Sequence, residues 1–125
     1  MTYNNIAVTY ISLRDYDTAM AFLEKALKVR KKLFGDAHLL TITTNTNIAD
    51  VYRMQKRNPV ALDLYFRTLE LTRQTAGEYH VQTAVIYSGI AETYFNQKSY
   101  DKAEEYFQTN LEGILFKRIF RKSKV

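Results

Sequence analysis

Apolar positions along the chain fall at helical spacing and recur as a block. Ile48, Ala49 and Tyr52 follow the i, i+1, i+4 pattern of one helical face. Further along, Ala61, Tyr65, Thr68 and Leu69 stand at i, i+4, i+7 and i+8, a pattern matched by Ala19, Leu23, Ala26 and Leu27. Short polar turns separate such stretches: Arg14-Asp15, Arg57-Asn58-Pro59 and Lys98-Ser99. Pro59 suits the first turn of a helix, where its missing N–H costs nothing. Gly35 and Gly77 supply the left-handed residue that ends one. Six helices are predicted, at about 3–14, 16–34, 38–56, 58–75, 80–97 and 100–118.

The same residues return 42 positions apart: Ile6-Ala7, Ile48-Ala49 and Ile90-Ala91; Tyr10, Tyr52 and Tyr94; Ala19, Ala61 and Ala103; Leu27, Leu69 and Leu111. Gly35 and Gly77, His38 and His80, and Thr41 and Thr83 keep that period. A fixed period without gaps marks a repeat architecture, in which each unit buries its apolar face against its neighbours. Small Ala at matching sites lets paired helices approach closely.

These residues resemble the tetratricopeptide repeat. Its signature positions map onto Tyr3, Ile6, Ala7, Tyr10, Ala19, Leu23, Ala26 and Lys31, and the third unit supplies Tyr87, Ile90, Ala91, Tyr94, Ala103 and Phe107. The 42-residue length, with Leu33-Phe34-Gly35-Asp36-Ala37-His38 joining units, is similar to the longer subtype of kinesin light chains and comparable cargo adaptors. Leu39 and Val81 stand where that subtype usually has Pro, and Thr68 and Asn110 replace a small packing Ala. The resemblance implies an all-α fold, a right-handed α-solenoid of three helix-turn-helix units. Repeats are expected at about 1–36, 37–78 and 79–118, so that residues 1–118 form the repeat domain and 119–125 a basic tail.

In such a solenoid the first helix of each unit lines a concave groove. Opposite the Ile48–Tyr52 face, Thr43, Thr46, Asn47, Asp50, Arg53 and Met54 form one stripe. Val85, Ser88, Gly89, Glu92, Phe95 and Asn96 share its phase in unit three, and Asn4, Asn5, Val8, Ile11 and Ser12 in unit one. The stripe reads either as a solvated face or as a surface for an extended peptide, whose backbone amides Asn5, Asn47 and Asn96 could both donate to and accept from. The candidate groove residues are Asn5, Thr43, Thr46, Asn47, Asp50, Arg53, Ser88, Glu92 and Asn96. Asp50 and Glu92 face a single clear cation, Arg53, so a mixed or basic peptide is expected rather than an acidic C-terminus.

Other features narrow the function. The chain has 125 residues, no Cys, one Pro and four Gly, so one domain is expected, without disulfides, thiol chemistry or cysteine-based zinc sites. His38 and His80, near Asp36 and Glu78, could suggest a metal, but they stand one repeat apart and read better as helix caps. No phosphate loop, nucleophile motif or paired carboxylates ask for chemistry. No catalytic residue, metal or cofactor is expected. The aromatic residues, including Tyr10, Tyr52, Tyr65, Tyr94 and Phe107, fall at core phases rather than on a base-stacking platform. Lys25, Lys28, Arg30, Lys31 and Lys32 read as a solvated outer face.

The net charge of +5 belongs to the end of the chain. Lys117, Arg118, Arg121, Lys122 and Lys124 account for it, and the preceding residues carry 13 cations against 13 acids. A specific nucleic-acid partner is therefore not expected. Neither a signal peptide nor a membrane-spanning run of roughly 18 apolar residues is present, which makes a cytoplasmic protein the default. Beyond Leu111, Leu115 and Ile119 continue one apolar stripe, and Phe116 and Phe120 another. Leu115, Phe116, Ile119 and Phe120 are candidates for self-association through the C-terminal helix, as a homodimer. Two functions are expected: an adaptor binding a peptide in the groove, or alternatively a structural self-assembly segment.

Overall fold

Three pairs of helices follow one another: α1 (Tyr3–Ser12) with α2 (Tyr16–Phe34), α3 (Leu39–Met54) with α4 (Asn58–Ala76), and α5 (Val81–Asn96) with α6 (Tyr100–Ser123). The computed structural model describes the backbone of residues 2–123 and the side chains of residues 2–113. The expected helix ends agree with these to within two residues, except that α6 runs to Ser123. Lys117, Arg118, Arg121 and Lys122 thus lie along a helix.

Local chemistry sets the boundaries. Helix α1 is capped by Thr2 Oγ1, which accepts from Asn5 N at 3.2 Å, and α2 by Asp15 Oδ1, which accepts from Thr18 N at 3.2 Å. His38 Nδ1 accepts from Leu40 N at 3.1 Å, and His80 Nδ1 accepts from Gln82 N at 3.0 Å. Both imidazoles are therefore caps, as their spacing predicts. Gly35 and Gly77 close α2 and α4 at φ of 80° and 92°.

The turns inside each pair hold a feature that glycine does not mark. Arg14, Lys56 and Lys98, one repeat apart, all take positive φ, at 60°, 62° and 62°. The amides just after them, of Asp15, Arg57 and Ser99, bond back to the carbonyls of Tyr10, Tyr52 and Tyr94 at 3.0, 2.8 and 2.9 Å. This is the Schellman closure of a helix C-terminus, and it reverses the chain within a few residues.

Packing runs along the array: α2 and α4 each touch their own partner and the first helix of the next unit, and α6 packs on α5. One core cluster joins units one and two through Ala7, Leu23, Ile48 and Val51. A second joins units two and three through Ile42, Ala49, Tyr65, Ile86 and Ile90, among others. Tyr52 and Tyr94 pack partly buried against these clusters, as their phase predicts. Phe107 does not: among the described residues it stays exposed, at 42%. Several buried threonines donate within their own helices, whereas Thr83 Oγ1 reaches back to Gly77 O at 2.8 Å and Thr41 Oγ1 has no partner among the described residues. Thr46, Thr72 and Thr93 donate to carbonyls four residues back at 2.9, 2.6 and 2.7 Å.

Candidate functional site

The stripe on the first helices forms one face, but much of it is tied down across the repeats. Its centre is a network of four side chains. Tyr65 rises from α4 and its hydroxyl donates to Asp50 Oδ1 on α3 while accepting from Arg53 Nε at 3.1 Å. Arg53 Nη1 then crosses to α5 and meets Glu92 Oε2 at 2.7 Å, and its Nη2 lies 3.6 Å from Asp50 Oδ1. One guanidinium therefore serves two carboxylates and a phenol, using its planar fork as an ammonium could not. The Arg53 side chain is only 16% exposed, whereas Glu92 remains half open to the groove.

Burial shapes the electrostatics of this network. Desolvation pushes the Asp50 carboxyl above the usual carboxylate range, although the Tyr65 hydrogen bond and Arg53 pull it down. The Tyr65 hydroxyl is pushed up by burial and by the adjacent Asp50 charge. Arg53 is held protonated by Tyr65, Asp50 and Glu92 despite its own burial.

Flanking contacts continue the pattern. Asn47 Nδ2 donates to Asn4 Oδ1 at 3.1 Å, joining α3 to α1. Gln82 Nε2 donates to Thr46 Oγ1 at 3.1 Å, joining α5 to α3. Lys56 Nζ donates to Asn96 Oδ1 at 3.3 Å. At this end of the face, an open cleft of about 460 Å³ is lined by Ile11, Ser12, Arg14, Arg53, Lys56 and Asn96, among others.

The sequence-predicted groove residues therefore separate into two groups. Asn5 and Glu92 are exposed, and Thr43, Asp50 and Asn96 are partly so. Thr46 is not a surface residue: it is 2% exposed, sealed between α3 and α5. Ser88 turns away from the open face toward α6, where its Oγ accepts from Asn110 Nδ2 at 2.9 Å. Asn47 and Arg53 act mainly as internal supports. Arg53, the one clear cation expected on the stripe, pairs with both of its carboxylates, Asp50 and Glu92.

Gln82 and Lys56 escaped the sequence reading, and Tyr65 was read as core alone, without its part in the network. The signal for Tyr65 was present: a bulky phenol at the position of Leu23 coincides with a residue lacking a side chain, Gly89, in the next unit. In the basic stretch on α2, Arg30 Nη1 donates to Leu40 O and to Thr44 Oγ1 at 3.0 and 2.9 Å, so it ties α2 to α3 rather than standing free. Leu115, Phe116, Ile119 and Phe120 lie outside the residues whose side chains are described.

Among the described residues no cluster of three His, Asp or Glu could hold a metal ion, and no helix is long and apolar enough to cross a membrane. A tetratricopeptide repeat family model matches residues 1–74 and again 43–113. The chain belongs to the tetratricopeptide repeat family. Repeats of this family are generally protein–protein interaction modules, on a scaffold-type fold without catalytic machinery of its own. Among curated proteins no sequence matches at a significant level. Among solved structures the chain is similar to BtubC (BKLC) from P. vanneervenii, with a TM-score of 0.78 and 23% identity over 88% of this chain. It is also similar to a Podosopora anserina protein described as kinesin light chain-like, with nearly identical TPR-like repeats, at a TM-score of 0.76 and 15% identity over 93% of this chain. It spans about half the length of each, 43% and 55%. At these identities the likeness establishes the tetratricopeptide fold, with kinesin light chain-like repeats, and not a shared ligand.

Proposed function

We propose that this chain is a non-catalytic adaptor that holds an extended peptide segment on the concave face of its first helices. The observation that carries the reading is the Asp50–Tyr65–Arg53–Glu92 network. It fixes α3, α4 and α5 relative to one another and leaves a half-exposed carboxylate, Glu92, pointing outward. A face whose supports are already paired loses little side-chain entropy on binding. Around it stand donors and acceptors for a peptide backbone, Asn5 and Thr43, and exposed apolar side chains, Val8, Val85 and Phe95.

The charge pattern favours a mixed segment. Glu92 suits a basic side chain, while Arg14 and Lys56 beside the cleft suit an acidic one. A purely acidic terminus would have to approach a network of two carboxylates and one guanidinium, which is formally negative. The test is a peptide-array selection followed by calorimetry on the best binders. Glu92→Ala and Phe95→Ala should each weaken them by about tenfold, or roughly 1.4 kcal/mol. Arg67→Ala, on the exposed face of α4, should change nothing. Equal affinities for all three variants would remove the groove as the binding site.

A further inference from the structure

The charge of the concave face changes sign within one turn of α5. Glu92 presents a half-exposed carboxylate at the centre of that face, beside the partly buried Asp50. Four residues on, Asn96 Oδ1 accepts from Lys56 Nζ at 3.3 Å, which brings an ammonium to the end of the same helix face. The cleft of about 460 Å³ at that end is lined by the cations Arg14, Arg53 and Lys56, and among the described residues no carboxylate lines it. Arg53 is taken up by Asp50, Glu92 and Tyr65, but among the described residues Arg14 and Lys56 form no ion pair. Their backbones are fixed: both turn residues hold positive φ, and their amides bond back to Ile11 O and Arg53 O at 3.0 Å each.

We infer that this sign change sets the register of the bound segment: an extended backbone brings a basic side chain to Glu92 and, two positions along, an acidic side chain into the cleft. This register rests on the groove being the peptide site proposed above, and adds which side chains the peptide carries and how far apart. Side chains four apart on a helix face, as Glu92 and Asn96 are, stand about 6 Å from each other. Side chains i and i+2 of an extended chain are separated by roughly 6.5 Å, a match to that distance. At i+1 or i+3 the second side chain would point away from the face, and at i+4 it would overshoot, at about 13 Å. Like-charged pairs are rejected by repulsion. Two basic side chains would set one against Arg14 and Lys56, and two acidic ones would set one against Glu92 and Asp50. On binding, Lys56 exchanges the neutral amide oxygen of Asn96 for a carboxylate, which makes the stronger, charge-assisted hydrogen bond.

The test is binding of the full chain to an array of synthetic peptides that carry one Lys and one Asp, with the remaining positions randomised among neutral residues. The pair is placed in both orders and at every spacing from i+1 to i+4. The i+2 spacing should bind about tenfold more tightly than the others in at least one order. Lys56→Glu, at an exposed position, should weaken those peptides by about tenfold, and replacing their Asp by Lys should restore binding to that variant. Such a rescue separates a direct contact from damage to the fold, and a loss without rescue overturns the register. Affinities indifferent to spacing, with Glu92→Ala still weakening them, also overturn it while leaving the groove as the peptide site. Peptides that bind Glu92→Ala as well as wild type, or a wild type that binds none of them, overturn both.

Discussion

The Tyr65 ring fills the space that a side chain at Gly89 would take. A Cβ built at Gly89 would lie 2.5 Å from two Tyr65 ring carbons and 2.7 Å from the hydroxyl oxygen. Because α5 is bare at that point, the phenol of a residue on α4 passes between α3 and α5 and reaches Asp50 and Arg53. One unit earlier the same pair of positions holds Leu23 and Asn47, a shorter side chain facing a larger one.

That exchange yields a stability prediction. Gly89→Ala gains helix propensity but forces a fully buried ring to move, and overpacking of this kind costs about 1–3 kcal/mol. Urea unfolding should show the variant destabilised by that amount. Combining it with Tyr65→Leu should couple favourably, the double variant being more stable than the two single effects predict. Additive effects would mean that the two residues do not share one space.

A second prediction concerns pH. The folded chain holds the Asp50 proton more tightly than the unfolded chain does, since burial raises this carboxyl above its ordinary 3.8. The stability this contributes is fully present below the unfolded value and is lost as pH rises through the folded one. Asp50→Asn carries no such loss. The stability of Asp50→Asn relative to wild type should therefore increase between about pH 3 and pH 7, then level off. A relative stability that falls over that range would contradict the burial argument. Tyr65 acts with the same sign in alkali: its folded value is pushed above 10.0, first by burial and then by Asp50. Wild type should lose stability above that pH more steeply than Tyr65→Phe.

The helix caps give a third prediction. His38 and His80 each accept the amide of the second residue following, through Nδ1. Alanine at either position leaves that amide without its side-chain acceptor and should cost about 1 kcal/mol. Asparagine, which can accept from the same amide, should recover most of it. Thermal melts of the alanine and asparagine variants decide the matter. If His80→Ala and His80→Asn are equally destabilised, the imidazole contributes through packing instead of capping.

Legibility in the sequence followed the kind of interaction. The helices, their turns and the positions of Ala19, Leu23 and Tyr65 in the core could be read because each recurs at one period and answers to one neighbour. The groove was read less well, because helical phase predicts which way a residue points and not what reaches it from another helix. Thr46 has the right phase, but Gln82 of the next unit lies over it. Arg53 has the right phase too, yet Tyr65 arrives from α4 and Glu92 from α5 to take up its guanidinium. Such contacts arise where the repeats differ from one another, and a search for what they share passes over them. Phase alone misleads at Phe107 too: it has a core phase, yet among the described residues it is exposed.

The left-handed turn residues give the last prediction. Arg14, Lys56 and Lys98 hold a conformation that L side chains adopt at a cost of roughly 1–2 kcal/mol, and glycine pays none of it. Lys98 tests this most simply, because among the described residues its side chain forms no ion pair or hydrogen bond that would be lost. Lys98→Gly also makes the unfolded chain more flexible, which takes back about 0.4–1 kcal/mol. The net expectation is a gain of up to about 1 kcal/mol in unfolding free energy, seen as a higher urea midpoint with an unchanged slope. Lys98→Ala retains the Cβ that makes the conformation costly, so it should show no such gain. Equal effects from the two substitutions would place the origin in the loss of the lysine charge and not in the backbone.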